Sequence, residues 1–162
     1  MMAVGEKGYI DATHKIVSTR ITIQNAIKEH PVLKEALTVM GDPMVSVIAF
    51  ESVDKAIDIY DVADAMSAKG WHLNSVQDPP GLHVAVTLPT TKDGAVDNLI
   101  EDLVDIVKKE KERVAQQAQA GTLIEARKKG NQAQLYGVAG SLPDKSIVER
   151  IVVAYLDTLY LA

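Results

Sequence analysis

Met44-Val45-Ser46-Val47-Ile48-Ala49-Phe50-Glu51 is the stretch on which the fold turns. It is rich in β-branched residues and apolar at both parities, which predicts a strand covered on both faces. On that reading Val47 is interior, and Val47→Asp would unfold the domain by burying an unpaired charge. Upstream, Gly41-Asp42-Pro43 is a strong turn signal, and residues 33–40 before it read as a second strand. Earlier still, Ile10, Val17 and Ile21, with Ile16, Ile23 and Ile27, recur at helical spacing and predict a helix over 1–28. His30-Pro31 ends it, because a residue before proline avoids the α region. No capping side chain precedes the apolar pattern, so this helix reads as cut and the chain as a piece of something larger.

Downstream, Asp58 is a natural cap for a helix over 59–69, whose stripe is Ile59, Val62, Ala63 and Met66; Gly70 supplies the left-handed stop. Residues 71–76 and 82–88 read as short strands around the turn Asp78-Pro79-Pro80-Gly81. A long helix over 93–114 follows, with Val96, Leu99, Ile100, Leu103, Ile106 and Val107 on one face. Residues 115–134, rich in Gln, Ala and Lys, offer little to bury and read as a surface connection with at most a short helical turn. After Pro143 and Asp144 a final helix spans 145–161, and its wide apolar stripe calls for a partner surface. The fold class expected is α+β: a small, mostly antiparallel sheet with helices on one face, framed by a long N-terminal and a C-terminal helix.

A chain of 162 residues with 47% hydrophobic side chains suits one compact domain. Its net charge of −5 argues against nucleic acid and anionic lipid as nonspecific partners. Cysteine is absent, which excludes disulfides, thiolate catalysis and cysteine-bound metal. No run of about 20 apolar residues occurs, so this segment is expected to be soluble and not to insert in a membrane. With one Trp, one Phe and five Tyr, the core must rest on aliphatic residues, and stacking platforms for bases are scarce.

Reactive constellations are hard to find. His14, His30, His72 and His83 lack metal-ligand spacing, no nucleophile-elbow pattern occurs, and Gly137 and Gly140 have no following Lys to make a phosphate loop. The acids Glu101-Asp102 and Glu110/Glu112 lie on a helix, where a solvated face is the simpler account. Residue chemistry alone shows no evident active site.

Several tracts in order carry a resemblance. They are Tyr9-Ile10-Asp11-Ala12-Thr13, Val45-Ser46-Val47-Ile48-Ala49-Phe50, the helix over 59–69, and Gly70-Trp71-His72-Leu73-Asn74. Pro79-Pro80-Gly81-Leu82-His83, Leu135-Tyr136-Gly137-Val138-Ala139-Gly140 and Tyr155-Leu156-Asp157-Thr158-Leu159-Tyr160 follow. Together they resemble the C-terminal part of the sphingosine-1-phosphate lyase family, which is similar to fold-type-I pyridoxal-phosphate enzymes and amino-acid decarboxylases. The resemblance implies a small C-terminal domain throughout: residues 1–30 as an inter-domain helix, 31–114 as an α+β core, 115–134 as a surface connection, and 135–162 as a Tyr-bearing loop with the last helix.

It also implies an activity: cleavage of a phosphorylated long-chain base to a fatty aldehyde and phosphoethanolamine. Breaking the C2–C3 bond requires an electron sink, which pyridoxal 5'-phosphate supplies, and a base for the C3 hydroxyl proton. None of the 13 Lys matches the family's Schiff-base context. The cofactor is therefore expected on an N-terminal domain of the same enzyme, and this chain alone is expected to be inactive. The resemblance further implies a homodimer anchored at the endoplasmic reticulum membrane. Tyr136 matches the family's Tyr-Gly-x-Ala tract and is the expected catalytic residue. Its phenol can both donate and accept a hydrogen bond, and Gly137 and Gly140 allow the loop to fold over a ligand. For His72 and Asn74 the simplest role is a strand edge, for His83 a core-side histidine, and for Trp71 a core anchor. The competing readings are a stand-alone α+β interaction module and the small domain of another pyridoxal-phosphate decarboxylase. The lyase reading expects bare apolar residues on the first and last helices, at Ile16, Ile23 and Ile27 and at Ile151, Tyr155 and Leu159.

Overall fold

The computed structural model describes residues 5–54, 56–119 and 146–160. The first element, α1 (Gly5–Glu29), leads through one helical turn, α2 (Leu33–Ala36), into β1 (Leu37–Met40). Leu33 and Ala36, three apart, are both buried; that spacing coils residues 33–36 rather than extending them as the sequence reading expected. The freed Ala36 carbonyl accepts from Val53 N–H at 2.9 Å, which stitches the turn to the end of β2 (Val47–Ser52).

After β2 come α3 (Ile59–Ala68), β3 (Asn74–Val76), β4 (Gly81–Ala85), a 3-10 turn at Leu88–Thr91, α4 (Ala95–Gln119) and α5 (Ser146–Tyr160). The start and stop of α3 are those read from sequence. The Asp58 carboxylate accepts from Tyr60 N–H at 3.0 Å, and Gly70 takes φ +91° while Trp71 N–H returns to Met66 O at 3.0 Å. Helix α4 runs five residues past Val114, into what was expected to be surface connection.

The four strands are antiparallel in the order β1-β2-β4-β3, confirming the α+β class. Ile48 stands opposite Val84, and Phe50 opposite Leu82 and Val39; these side chains share one face. Onto that face α1 contributes Ile23 and Ile27, α3 contributes Val62 and Met66, and α4 contributes Leu99, Leu103, Ile106 and Val107. Each such buried side chain contributes about 1.5–3 kcal/mol of transfer free energy.

The opposite face is open, which corrects the expectation for β2. Val47 lies on it, 48% exposed, paired with Ala85. A strand apolar at both parities need not be covered on both faces: here the second set of apolar residues, Val47 and Ala49, faces outward. His83 stands with Ala49 and Asn74 on this outer face, half-buried, and is not the core-side histidine expected. At the sheet's crowded corner a Cβ on Gly81 would sit 2.7 Å from Met40 Sδ, 3.0 Å from Phe50 O and 3.1 Å from Val76 Cγ2, so a larger residue would make its neighbours shift.

The bare stripe expected on the first helix is absent, because Ile23 and Ile27 are buried and Ile16 packs against the same core. On α5 the expected residues Ile151, Tyr155 and Leu159 are exposed. Glu110, taken as a solvated acid, is buried and grips Arg113 through 2.9 and 2.7 Å bonds from Nε and the guanidinium tip.

Polar ties join the helices. Lys69 Nζ lies 2.6 Å from Asp102 Oδ1 and 3.3 Å from Asp105 Oδ2, and the Trp71 indole N–H donates to Asp102 Oδ2 at 2.7 Å. Asp102 was also expected on a solvated face; it is instead the hub that clamps the end of α3 to α4. The Lys69 hydrogen bond, then the Trp71 bond, hold its carboxyl below the usual carboxylate range, and the same Asp102 bond raises Lys69.

Two tests follow from this arrangement. Val47→Asp should cost no more than about 1 kcal/mol because its carboxylate reaches water, whereas Ile48→Asp should cost ~4 kcal/mol or more. Urea melts of the two variants check this, and equal losses would refute the one-sided sheet. A carboxyl depressed on folding lends stability above its unfolded pKa and loses it as pH falls through the folded value. Fluorescence of Trp71, the chain's one tryptophan, should therefore hold through the ordinary aspartate range and change only below it. In Asp102→Asn that transition should vanish.

Candidate functional site

Concavities on the described surface include two lined by acidic residues. The larger, about 510 Å³, lies between His30 at the end of α1 and the outer flank of α4, lined by Asp97, Ile100, Glu101, Val104, Asp105 and Lys108. Helical spacing creates it: residues 97, 101, 104 and 108 fall on one stripe of α4, and the chain turns away at His30-Pro31. His30 Nδ1 accepts from Val32 N–H at 3.2 Å, which orients the ring. Asp105 is held below the usual carboxylate range by Lys109 and then Lys69. The second concavity, about 310 Å³, is walled by Asp54, Asp58, Tyr60 and Pro80, next to the β3–β4 turn. There the Tyr60 hydroxyl donates to Val76 O at 2.9 Å and ties α3 to the edge strand.

Neither hollow suits the pyridoxal phosphate implied by the resemblance. Three carboxylates line each of them, Asp97, Glu101 and Asp105 in the larger and Glu51, Asp54 and Asp58 in the smaller, and they would repel a phosphate dianion. The single Lys of the larger hollow, Lys108, stands among those acids. No group of three His or carboxylate side chains among the described residues could hold a metal ion. No described helix is long and apolar enough to cross a membrane.

The residues singled out from sequence do not converge. Tyr136, with Gly137 and Gly140, lies outside the described residues. His72 is exposed after α3, Asn74 is exposed on the edge strand β3, and His83 lies on the outer face of β4. Trp71 is a partly buried anchor packed against the core, as expected, and additionally a hydrogen-bond donor. Sequence reasoning missed Arg20. It is 6% exposed on α1, and its Nε–H donates to Val45 O at 3.2 Å while its guanidinium also bonds Gln24. The Arg20/Gln24 spacing of four was a legible signal of that pair; the tie to Val45 was not.

No family model matches the chain. Among curated proteins it is 35% identical over 160 residues to the sphingosine-1-phosphate lyase of Arabidopsis thaliana, covering 99% of this chain and 26% of that protein. The sphingosine-1-phosphate lyase of Saccharomyces cerevisiae is 32% identical, with 99% of this chain and 24% of that protein covered. Among solved structures, the sphingosine-1-phosphate lyase of Burkholderia pseudomallei superposes with a TM-score of 0.60 at 32% identity. It covers 74% of this chain, which spans 26% of that one. The chain thus spans about a quarter of the length of the relatives it matches. In sequence and in fold the chain is similar to the C-terminal segment of sphingosine-1-phosphate lyases.

Proposed function

We propose that this chain is the small, C-terminal domain of a lyase that cleaves phosphorylated long-chain bases to a fatty aldehyde and phosphoethanolamine. One observation carries the reading: similarity along 99% of the chain to about a quarter of the lyases of a plant and a yeast, with the same fold in a solved lyase. The acidic hollows support assigning the pyridoxal phosphate and its Schiff-base lysine to the larger, N-terminal part of the enzyme. This chain's share is then structural, a buttress for that part, together with Tyr136. Its hydroxyl, hydrogen-bonded to a phosphate or hydroxyl oxygen of the substrate, is the proposed catalytic contribution. In this reading the complete enzyme is a homodimer on the cytosolic face of the endoplasmic reticulum membrane.

The test is a chimera: the yeast lyase with its matching C-terminal segment replaced by this chain. It should form aldehyde from a phosphorylated long-chain base; a folded, cofactor-loaded chimera without turnover would remove the reading. In that chimera Tyr136→Phe should lower turnover about tenfold, the worth of one hydrogen bond, with the cofactor's absorbance unchanged. Undiminished turnover would remove the residue's role. The chain by itself should show no turnover.

A further inference from the structure

Two of the tracts that carry the resemblance, 70–74 and 79–83, end on Asn74 and His83. Of the residues singled out from sequence, these are the pair that the fold makes neighbours: the register of β3 and β4 sets them directly opposite each other. In such a pair the Cβ atoms lie about 4.5–5.5 Å apart on one face of the sheet. The other face is covered by α1, α3 and α4, so the imidazole and the carboxamide look out of the chain. Their surroundings are small and apolar. Ala49 stands opposite His83 on β2, and Ala85 follows two residues along β4. His83 is half-buried, yet neither its ring nor the Asn74 side chain makes a hydrogen bond among the described residues. The four strands contain one acid, Glu51, and it lies a diagonal step from His83, about 7–8 Å away and beyond hydrogen-bond reach.

The chemistry of the pair is that of a donor. An imidazole carries at least one N–H in either protonation state, and a carboxamide carries two. Two donors this close fit two oxygens of one oxyanion. Hydrogen bonds to an ionised acceptor are about twice as strong as neutral ones, and apolar neighbours strengthen them further by lowering the local dielectric. The two hollows offer the reverse, three carboxylates each, and repel such a group. The lyase reading supplies the oxyanion, since its substrate carries a phosphate monoester that leaves on phosphoethanolamine. We propose that His83 and Asn74 bind this phosphate, each donating an N–H to one of its oxygens. They thereby select phosphorylated long-chain bases over unphosphorylated ones. The inference rests on the lyase reading and adds residues of this chain that recognise the substrate's phosphate.

The test uses the yeast chimera, loaded with cofactor. Turnover of a phosphorylated long-chain base is measured, and binding of phosphoethanolamine is followed separately by calorimetry. His83→Ala should raise KM and the phosphoethanolamine Kd together, each about tenfold, with kcat within about twofold and the cofactor's absorbance unchanged. His83→Gln keeps an N–H at this place and should recover most of both losses. Asn74→Asp should raise both constants more than Asn74→Ala does, because it sets a carboxylate against the phosphate. Position 74 is exposed, so this comparison carries the test even where His83→Ala fails to fold. An active chimera whose KM and Kd are indifferent to these changes overturns the inference and leaves the lyase reading standing. A loss confined to kcat overturns it as well. A chimera that binds phosphoethanolamine through His83 and Asn74 but forms no aldehyde supports the site and removes the lyase reading. One that neither binds nor turns over removes both.

Discussion

Everything in this molecule depends on covering one face of a four-stranded sheet. Ile48, Phe50, Leu82 and Val84 cannot remain in water, and α1, α3 and α4 converge on them with aliphatic residues. The core contains one phenylalanine and no tryptophan at its centre; Ile, Leu, Val and Met fill it. Trp71 sits instead at the margin, where its indole N–H can reach Asp102, in keeping with the need of a buried indole for an acceptor. Because α1, α3 and α4 gather on one side, the other side carries no helix among the described residues.

Much of this was legible in the residues. The Asp58 cap, the Gly70 stop and the stripe of α4 are local signals, and local physics decided them. Failures occurred where a distant partner decides. Nothing between Leu33 and Met40 announces that Ala36 O will meet Val53 N–H, so the coil at Leu33–Ala36 read as strand. Val47 looked interior because an apolar residue facing outward carries the same letter as one facing inward. Glu110 and Asp102 looked solvated because helical periodicity says nothing of the Arg113 fork or of Lys69 and Trp71 arriving from elsewhere.

The candidate site was legible to a smaller degree, and by a different route. No spacing of His, Asp, Glu or Lys suggested chemistry, and the described surface offers acidic hollows in which no catalytic set assembles. Tyr136 entered through its tract, Tyr136-Gly137-Val138-Ala139-Gly140, and through that alone. If the chemistry is held on other residues, as proposed, few marks of it are expected in this chain's own sequence. What the described residues show is a sheet face without helices and a loop on which Met44 and Val45 are exposed.

The brevity of the outermost strands has its own consequence. β1 has four residues and β3 three, and the Val76 carbonyl on β3 is already taken by the Tyr60 hydroxyl. Chains that carry greasy surface beside open ladder ends risk growing into fibres by strand addition. Here the ladder ends offer few free rungs, and a tyrosine occupies one of them. Exposed apolar surface is thus kept from the rims of the sheet, which limits the molecule's capacity to template more of itself.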